Sequence, residues 1–247
     1  MVIESDSHFI LVDPMLGAKG KGIPFSVIRH RPRLNPLVDL PQGTNELLSK
    51  VNHCLITHCQ KLHFDHLDKA GKSFLRKLHI PITCESGDRA FLKRRGLTVQ
   101  NTISRWESIN WLSGQLTAIP AKHGYGWIHK TMANGVGYFL ELPNEPTLYI
   151  SGDTILTNHV RRALKELKPD ISVLAAGTAQ LDAGKPILMS LDDMMEFVRL
   201  APKKVIANHL EALNHCSTTR EQLSQLLTQN GLREKVFIPG DGEVLSF

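Results

Sequence analysis

Aromatic residues are scarce, at 6% of the chain, and they do not track the basic groups. That disfavours a surface on which nucleic-acid bases would stack. No CxxC pair occurs. The four cysteines, Cys54, Cys59, Cys84 and Cys216, are spaced by 5, 25 and 132 positions, which excludes a zinc-ribbon framework. Free thiols in a reducing compartment are the plainer expectation. No apolar run approaches the roughly 18 residues of a membrane helix, so no membrane partner is expected. The opening residues, MVIESDSHFILVDP, lack a basic stretch before an apolar core, so no secretory signal is expected and a cytoplasmic location is. No GxGxxG follows a strand, which argues against a dinucleotide fold. No GxSxG elbow supplies a serine nucleophile. Internal repeats and low-complexity segments are also missing.

Globular composition is what remains: 42% hydrophobic and 21% charged residues over 247 positions, with a net charge of +5. The basic residues fall in small scattered groups, such as Arg29, Arg31 and Arg33, or Arg161, Arg162 and Lys165. They read as solvated surface, although the mild positive charge permits an anionic substrate or nucleic acid. Histidine is the abundant residue, with 12 copies, several in two dense groups.

Residues 9–13 (FILVD), closed by Pro14, read as a strand running into a turn. Residues 17–45 are rich in Gly and Pro and form a long irregular loop, a length that is often functional. Further strands are predicted at 54–57, 82–84, 98–103, 116–121, 137–142, 147–151, 171–175 and 204–207. A closing pair is predicted at 236–239 and 243–246 around Gly240-Asp241-Gly242. Helical patterns cover 46–50, 69–78, 89–95, 160–167, 191–200 and 219–228. Two β-rich halves with helices outside fit a layered α/β architecture.

The segment from Thr57 to Asp68, THCQKLHFDHLD, follows a predicted strand. His58, His63, Asp65 and His66 lie within nine residues at that strand end, and imidazole with carboxylate suits zinc, manganese, iron or nickel. The segment resembles the HxHxDH signature of the metallo-β-lactamase superfamily. Further stretches resemble that family's stations in chain order. They are FILVDP at 9–14, PAKHG at 120–124, YISGDT at 149–154 and VIANH at 205–209. The resemblance spans nearly the whole chain, and the ascorbate-phosphate-lactonase-like hydrolases are the branch it most resembles. The stretch HLEALNHCSTTR at 209–220 looks typical of one bacterial branch of that group.

The resemblance implies one domain over 1–247, a four-layer αββα sandwich, with two divalent metal ions at its edge, zinc first among them. His58, His63 and His123 would hold one ion, and Asp65, His66 and His209 the other, with Asp153 bridging. One departure stands out: two positions before His63, where the signature has a histidine, this chain has Lys61. Either a three-residue insertion bulges out and His58 is the ligand, which is favoured, or Lys61 fills the position and the first site is altered. Asp65 would also orient the nucleophile.

His215 is open between a hydrogen-bonded surface residue and a catalytic substrate contact or proton shuttle. Arg220 is open between an anion contact and a helix-surface arginine. Cys59 and Cys216, each beside a histidine group, are candidate supports for ligands. His129 is the remaining histidine best placed for a role, in the loop after His123.

Paired metals acidify a bound water, and the hydroxide so held attacks a carbonyl or phosphorus centre. The expected activity is hydrolysis of a small-molecule ester, lactone or phosphoester. Arg29, Arg31 and Arg33 in the long loop favour an anionic substrate. A nuclease or phosphodiesterase is the alternative, against which stands the lack of room for the extra domains that such relatives carry. A non-catalytic metal-binding protein with a degenerate site is the third reading, supported by Lys61. Self-association is implied by the resemblance alone.

Overall fold

The computed structural model describes residues 1–60, 63–133 and 135–247. Two sheets face one another. The first contains β1 (Val2–Ser5), β2 (His8–Val12), β3 (His53–Ile56), β4 (Ile82–Glu85) and β5 (Val99–Ile103), side by side in that order. Only the β1–β2 pair is antiparallel. The second contains β6 (Ser108–Trp111), β7 (Gly114–Pro120), β8 (Val136–Glu141), β9 (Leu148–Ile150), β10 (Ile171–Ala175), β11 (Lys204–Asn208) and β12 (Val236–Phe237), again in sequential order. Its β6–β9 half is antiparallel and its β9–β12 half parallel.

Strand periodicity explains the layering. Side chains alternate between faces along a strand. In β2 and β3, Ile10, Val12 and Leu55 enter the core between the sheets, where they meet Leu116, Tyr138 and Ile150. Leu11, Cys54 and Ile56 turn the other way, onto Leu75 of helix α2 (Lys69–Lys77) and Leu92 of α3 (Arg89–Lys93). A short α1 (Thr44–Lys50) precedes them in the chain. On the second sheet, Phe139, Tyr149, Leu174 and Val205 pack outward against Val160 of α4 (Asn158–Arg162), Phe197 of α5 (Leu191–Leu200) and Leu223 of α6 (Arg220–Gln229). Burial on both faces is why FILV, CLI and ISVLA are unbroken apolar runs rather than alternating ones. The order of layers is therefore helix, sheet, sheet, helix, as expected. Among the described residues no helix is long and apolar enough to cross a membrane.

Several expectations need correction. Residues 243–246 form no strand; Glu243 instead closes a turn on Gly240, and β12 ends at Phe237. Pro239 follows soon after, and its carbonyl is taken by Arg220 Nε rather than by a ladder. Strands β1 and β6 were not anticipated. The helix read at 160–167 begins at Asn158, capped by Thr157, and its last turn, Ala163–Leu167, widens to a π-type turn.

Asp170 fastens the start of β9 to the loop before β10. It accepts from Thr147 N and Oγ1 and from Lys203 Nζ. Lys203, then Thr147, hold its carboxyl down at about 2. A depressed folded-state pKa lends stability above the unfolded value and loses it as pH falls through about 2. Lys203→Ala is expected to raise the Asp170 midpoint toward 3.8, read by carboxyl NMR titration. A midpoint left near 2 would assign the effect to Thr147 alone.

Candidate metal centre

Strand ends deliver the polar residues. At the end of β2, Asp13 adopts a left-handed backbone (φ 49°). Its carboxylate accepts from Thr57 N at 2.8 Å and Thr57 Oγ1 at 2.7 Å, just past β3. The same carboxylate lies 2.9 Å from His66 Nδ1. That contact turns His66 Nε2 inward, 3.2 Å from Asp153 Oδ2. Just past the signature, Asp68 caps α2 through Gly71 N and also accepts from Leu16 N and Gly17 N. The segment is thus tied down at both ends.

Other histidines are held in the same way. His58 Nδ1 lies 3.0 Å from Thr57 Oγ1, His123 Nδ1 2.8 Å from the Ile187 carbonyl, and His63 Nδ1 against the Gln60 carbonyl. His209 follows β11 with φ 58°, and its Nδ1 lies 3.4 Å from Cys216 Sγ. One ring nitrogen occupied by the protein and the other directed inward is how metal-binding histidines are oriented. Gly152 (φ 60°) makes the turn that brings Asp153 up from β9.

Among the described residues two groups converge. Ligand atoms of His58, His63 and His123 lie within 4.8 Å of one another, and so do those of Asp65, His66, Asp153 and His209. Asp153 connects them: its Oδ2 is 3.7 Å from His123 Nε2 and 3.4 Å from His209 Nε2. Burial, with His66 and His63 nearby, holds the His58 imidazole well below its ordinary value; burial brings His123 down to about 4. Both are therefore neutral and able to ligate. Burial raises the Asp153 carboxyl, but His209 and His66 outweigh it and keep the group ionised. His58 Nε2 and Asp65 Oδ1 are buried without a hydrogen-bond partner. Buried polar atoms of this kind are normally satisfied. In the second group burial is outweighed by Asp153, which raises His66 well above its ordinary value and His209 to about 10, while burial raises the Asp65 carboxyl, so a cation binding there displaces protons. The neutral imidazoles of the first group, the ionised Asp153 carboxylate and the orphaned inward atoms together fit divalent cations.

All seven residues that the signature resemblance selects thus fall in these two groups, with His58 in the first. Lys61 lies outside the described residues. His215 is buried, 3% exposed, and burial pushes it down to about 3. Its Nδ1 has no hydrogen-bond partner. Arg220 does not reach the site: it binds Glu211, Asp241 and the Pro239 carbonyl. Cys216 supports His209, whereas Cys59 sits in the core under β3, beside Asp88. His129 lines a cavity of about 890 Å³ that also borders His58 and Lys122.

Sequence reasoning missed the aromatic residues. Phe25, on the long loop, stacks on Phe64 with ring centroids 4.3 Å apart and an interplanar angle of 11°. Phe25 also meets the His215 ring at 4.6 Å. Phe64 lies between two signature residues, which is the one signal that could have singled it out. The loop is held twice. Asn214 Oδ1 accepts from Phe25 N at 2.8 Å, and Asn214 Nδ2 donates to the Ser26 carbonyl at 2.6 Å. Asp182 accepts from the backbone N–H groups of Val27, Ile28 and Arg29 and from Ser26 Oγ. Those four bonds hold its carboxyl well below the usual range, with Ser26 first. Arg29 gives its Nε to the Leu181 carbonyl, so this guanidinium serves the loop.

No family model matches the chain. A Bacillus subtilis (strain 168) protein described as UPF0173 protein YddR is 30% identical over all of this chain and 96% of its own length. Further relatives, 22–27% identical, are described as UPF0173 metal-dependent hydrolases. The crystal structure of an isothiocyanate hydrolase from Delia radicum gut bacteria superposes with a TM-score of 0.89 at 27% identity, covering 100% of this chain and 95% of that one. The Bacillus subtilis metallo-beta-lactamase fold protein YhfI superposes at 0.60 with 10% identity, over 95% of this chain and 85% of that one, a likeness of fold alone.

Proposed function

The chain belongs to the UPF0173 metal-dependent hydrolase family, and we propose that it hydrolyses a small-molecule ester, lactone or phosphoester at a dinuclear centre. The observation that carries this reading is the pair of ligand groups joined through Asp153. His58, His63 and His123 would hold one ion, and Asp65, His66 and His209 the other, with Asp153 between them. The donor set suits zinc first, with manganese, iron or nickel also compatible. Such ions supply an acidified water and a Lewis acid for developing charge.

The chain's own residues supply the rest. Asp13 and Thr57 fix the His66 ring, and the Ile187 carbonyl fixes that of His123. Asp65 Oδ1, with no hydrogen-bond partner, accepts a hydrogen bond from the attacking water and orients it. The neutral His215 ring faces the substrate, where Nδ1 can hold a hydrogen bond to the departing group. A fold of this kind hosts many chemistries, so the choice of electrophile rests on assay. The isothiocyanate hydrolase neighbour adds a heterocumulene carbon to the centres worth assaying.

Elemental analysis of protein purified without chelator tests the centre. Wild type is expected to carry about two metal ions per chain and His58→Ala about one. A value near one that the substitution leaves unchanged removes His58 from the ligand set and with it the dinuclear reading. Retained metal without turnover of phenyl acetate, γ-butyrolactone, bis(4-nitrophenyl) phosphate or benzyl isothiocyanate would favour a metal-binding protein over an enzyme.

A further inference from the structure

The wall formed by Phe25, Phe64 and His215 bears on which molecules the centre accepts. His215 adjoins Cys216, whose Sγ lies 3.4 Å from His209 Nδ1, and its ring meets Phe25 at 4.6 Å, so the wall stands beside the second ligand group. Phe64 is flanked in sequence by His63 and Asp65, which fixes the base of the wall to the centre. The two phenyl rings are stacked too closely to admit a third ring between them. A ligand therefore packs against the outside of the pair. Phenyl faces and edges favour flat apolar partners, through both area burial and ring quadrupoles.

A second observation points to a ligand independently. His215 Nδ1 is buried and has no hydrogen-bond partner. An apolar wall carrying one orphaned polar atom is the pattern of a small-molecule pocket, in which few polar groups set orientation. The arginines of the covering loop do not alter this. Arg29 is engaged by the Leu181 carbonyl, and Arg31 and Arg33 are exposed. The same loop exposes Ile23, Val27, Ile28 and Leu34.

We propose that the substrate is uncharged and carries a flat apolar group about the size of a phenyl ring. That group packs on the Phe25–Phe64 wall while a polar atom next to the reacting carbon bonds to His215 Nδ1. The proposal rests on the hydrolase reading for what reacts, but recognition can be measured without turnover.

The test is calorimetric binding of three non-hydrolysed acetamides to the metal-loaded protein: N-benzylacetamide, N-methylacetamide and the anion N-acetylglycine. N-benzylacetamide is expected to bind at least tenfold more tightly than either of the others. Phe25→Ala and Phe64→Ala should each reduce that preference to about threefold or less. Phe25→Leu, which keeps apolar bulk without a flat face, should lie between and guards against a collapsed loop. Equal affinities, tighter binding of N-acetylglycine, an unaltered preference in the variants, or no binding of N-benzylacetamide overturns the proposal. A protein that binds the benzyl probe selectively yet hydrolyses nothing would sink the catalytic reading and leave this one standing.

Discussion

Asp153→Asn should strip the centre of metal, lowering affinity by at least a hundredfold and turnover with it. The carboxylate is 4% exposed, and its Oδ2 lies 3.2, 3.4 and 3.7 Å from the inward nitrogens of His66, His209 and His123. An amide of the same shape carries no charge and offers hydrogens on one side. Removing one partner from a buried charge cluster costs about 3–5 kcal/mol, which is more than two decades in affinity. The check is metal per chain after dialysis against a weak chelator, with far-ultraviolet circular dichroism to confirm folding. Metal retained at the wild-type level would show that Asp153 does not lie between two ions.

The second large effect is steric. A Cβ on Gly135 would lie 2.2 Å from the Thr57 carbonyl oxygen and 2.6 Å from His58 Cβ. Both belong to the chain just past β3, and backbone there has no room to yield. Gly135→Ala must therefore push the start of β8 away from the end of β3 and carry His58 out of its group. Overpacking of this kind costs about 3 kcal/mol. In a chain of this length each kcal/mol is worth roughly 2–4 °C, so melting should fall by about 6–12 °C, with loss of about one metal ion. Gly87→Ala, whose new Cβ meets only Glu85 Oε2 at 3.8 Å, is the control and should shift melting by less than about 3 °C. Comparable behaviour of the two variants would mean that the β3–β8 contact is not rigid.

What was legible in the sequence follows from which residues carry local signals. Strands buried on both faces announce themselves, so β3 and β10 were readable within a residue. Short edge pieces such as VIES in β1 and SINW in β6 have half-exposed or mixed burial and no such run. They form because β2 and β7 offer them a ladder, which is a tertiary cause. At the centre, histidines and aspartates fall at strand ends in a recognisable order, so their convergence could be anticipated. His58 needed the fold, since its spacing from His63 breaks the pattern and only the structure sets it beside His123. Arg220 looked available because its partners Glu211 and Asp241 are 9 and 21 residues away. Phe25 carried no periodic or motif signal at all, because its position depends on Asn214, 189 residues later.

The way the long loop is fastened has an evolutionary corollary. Asp182 grips three backbone N–H groups and one serine hydroxyl, and Asn214 contacts chiefly backbone at Phe25 and Ser26. Hydrogen bonds to main chain are indifferent to most side chains that they hold in place. Residues 23, 25, 27 and 28 can therefore be exchanged while the loop keeps its path, and none of them belongs to either ligand group. The loop's share of the wall is thus inherited apart from the ligand residues, whereas Phe64 lies among them. A lineage could retune what it degrades by drift in one short cassette, with the reactive apparatus left intact at every step.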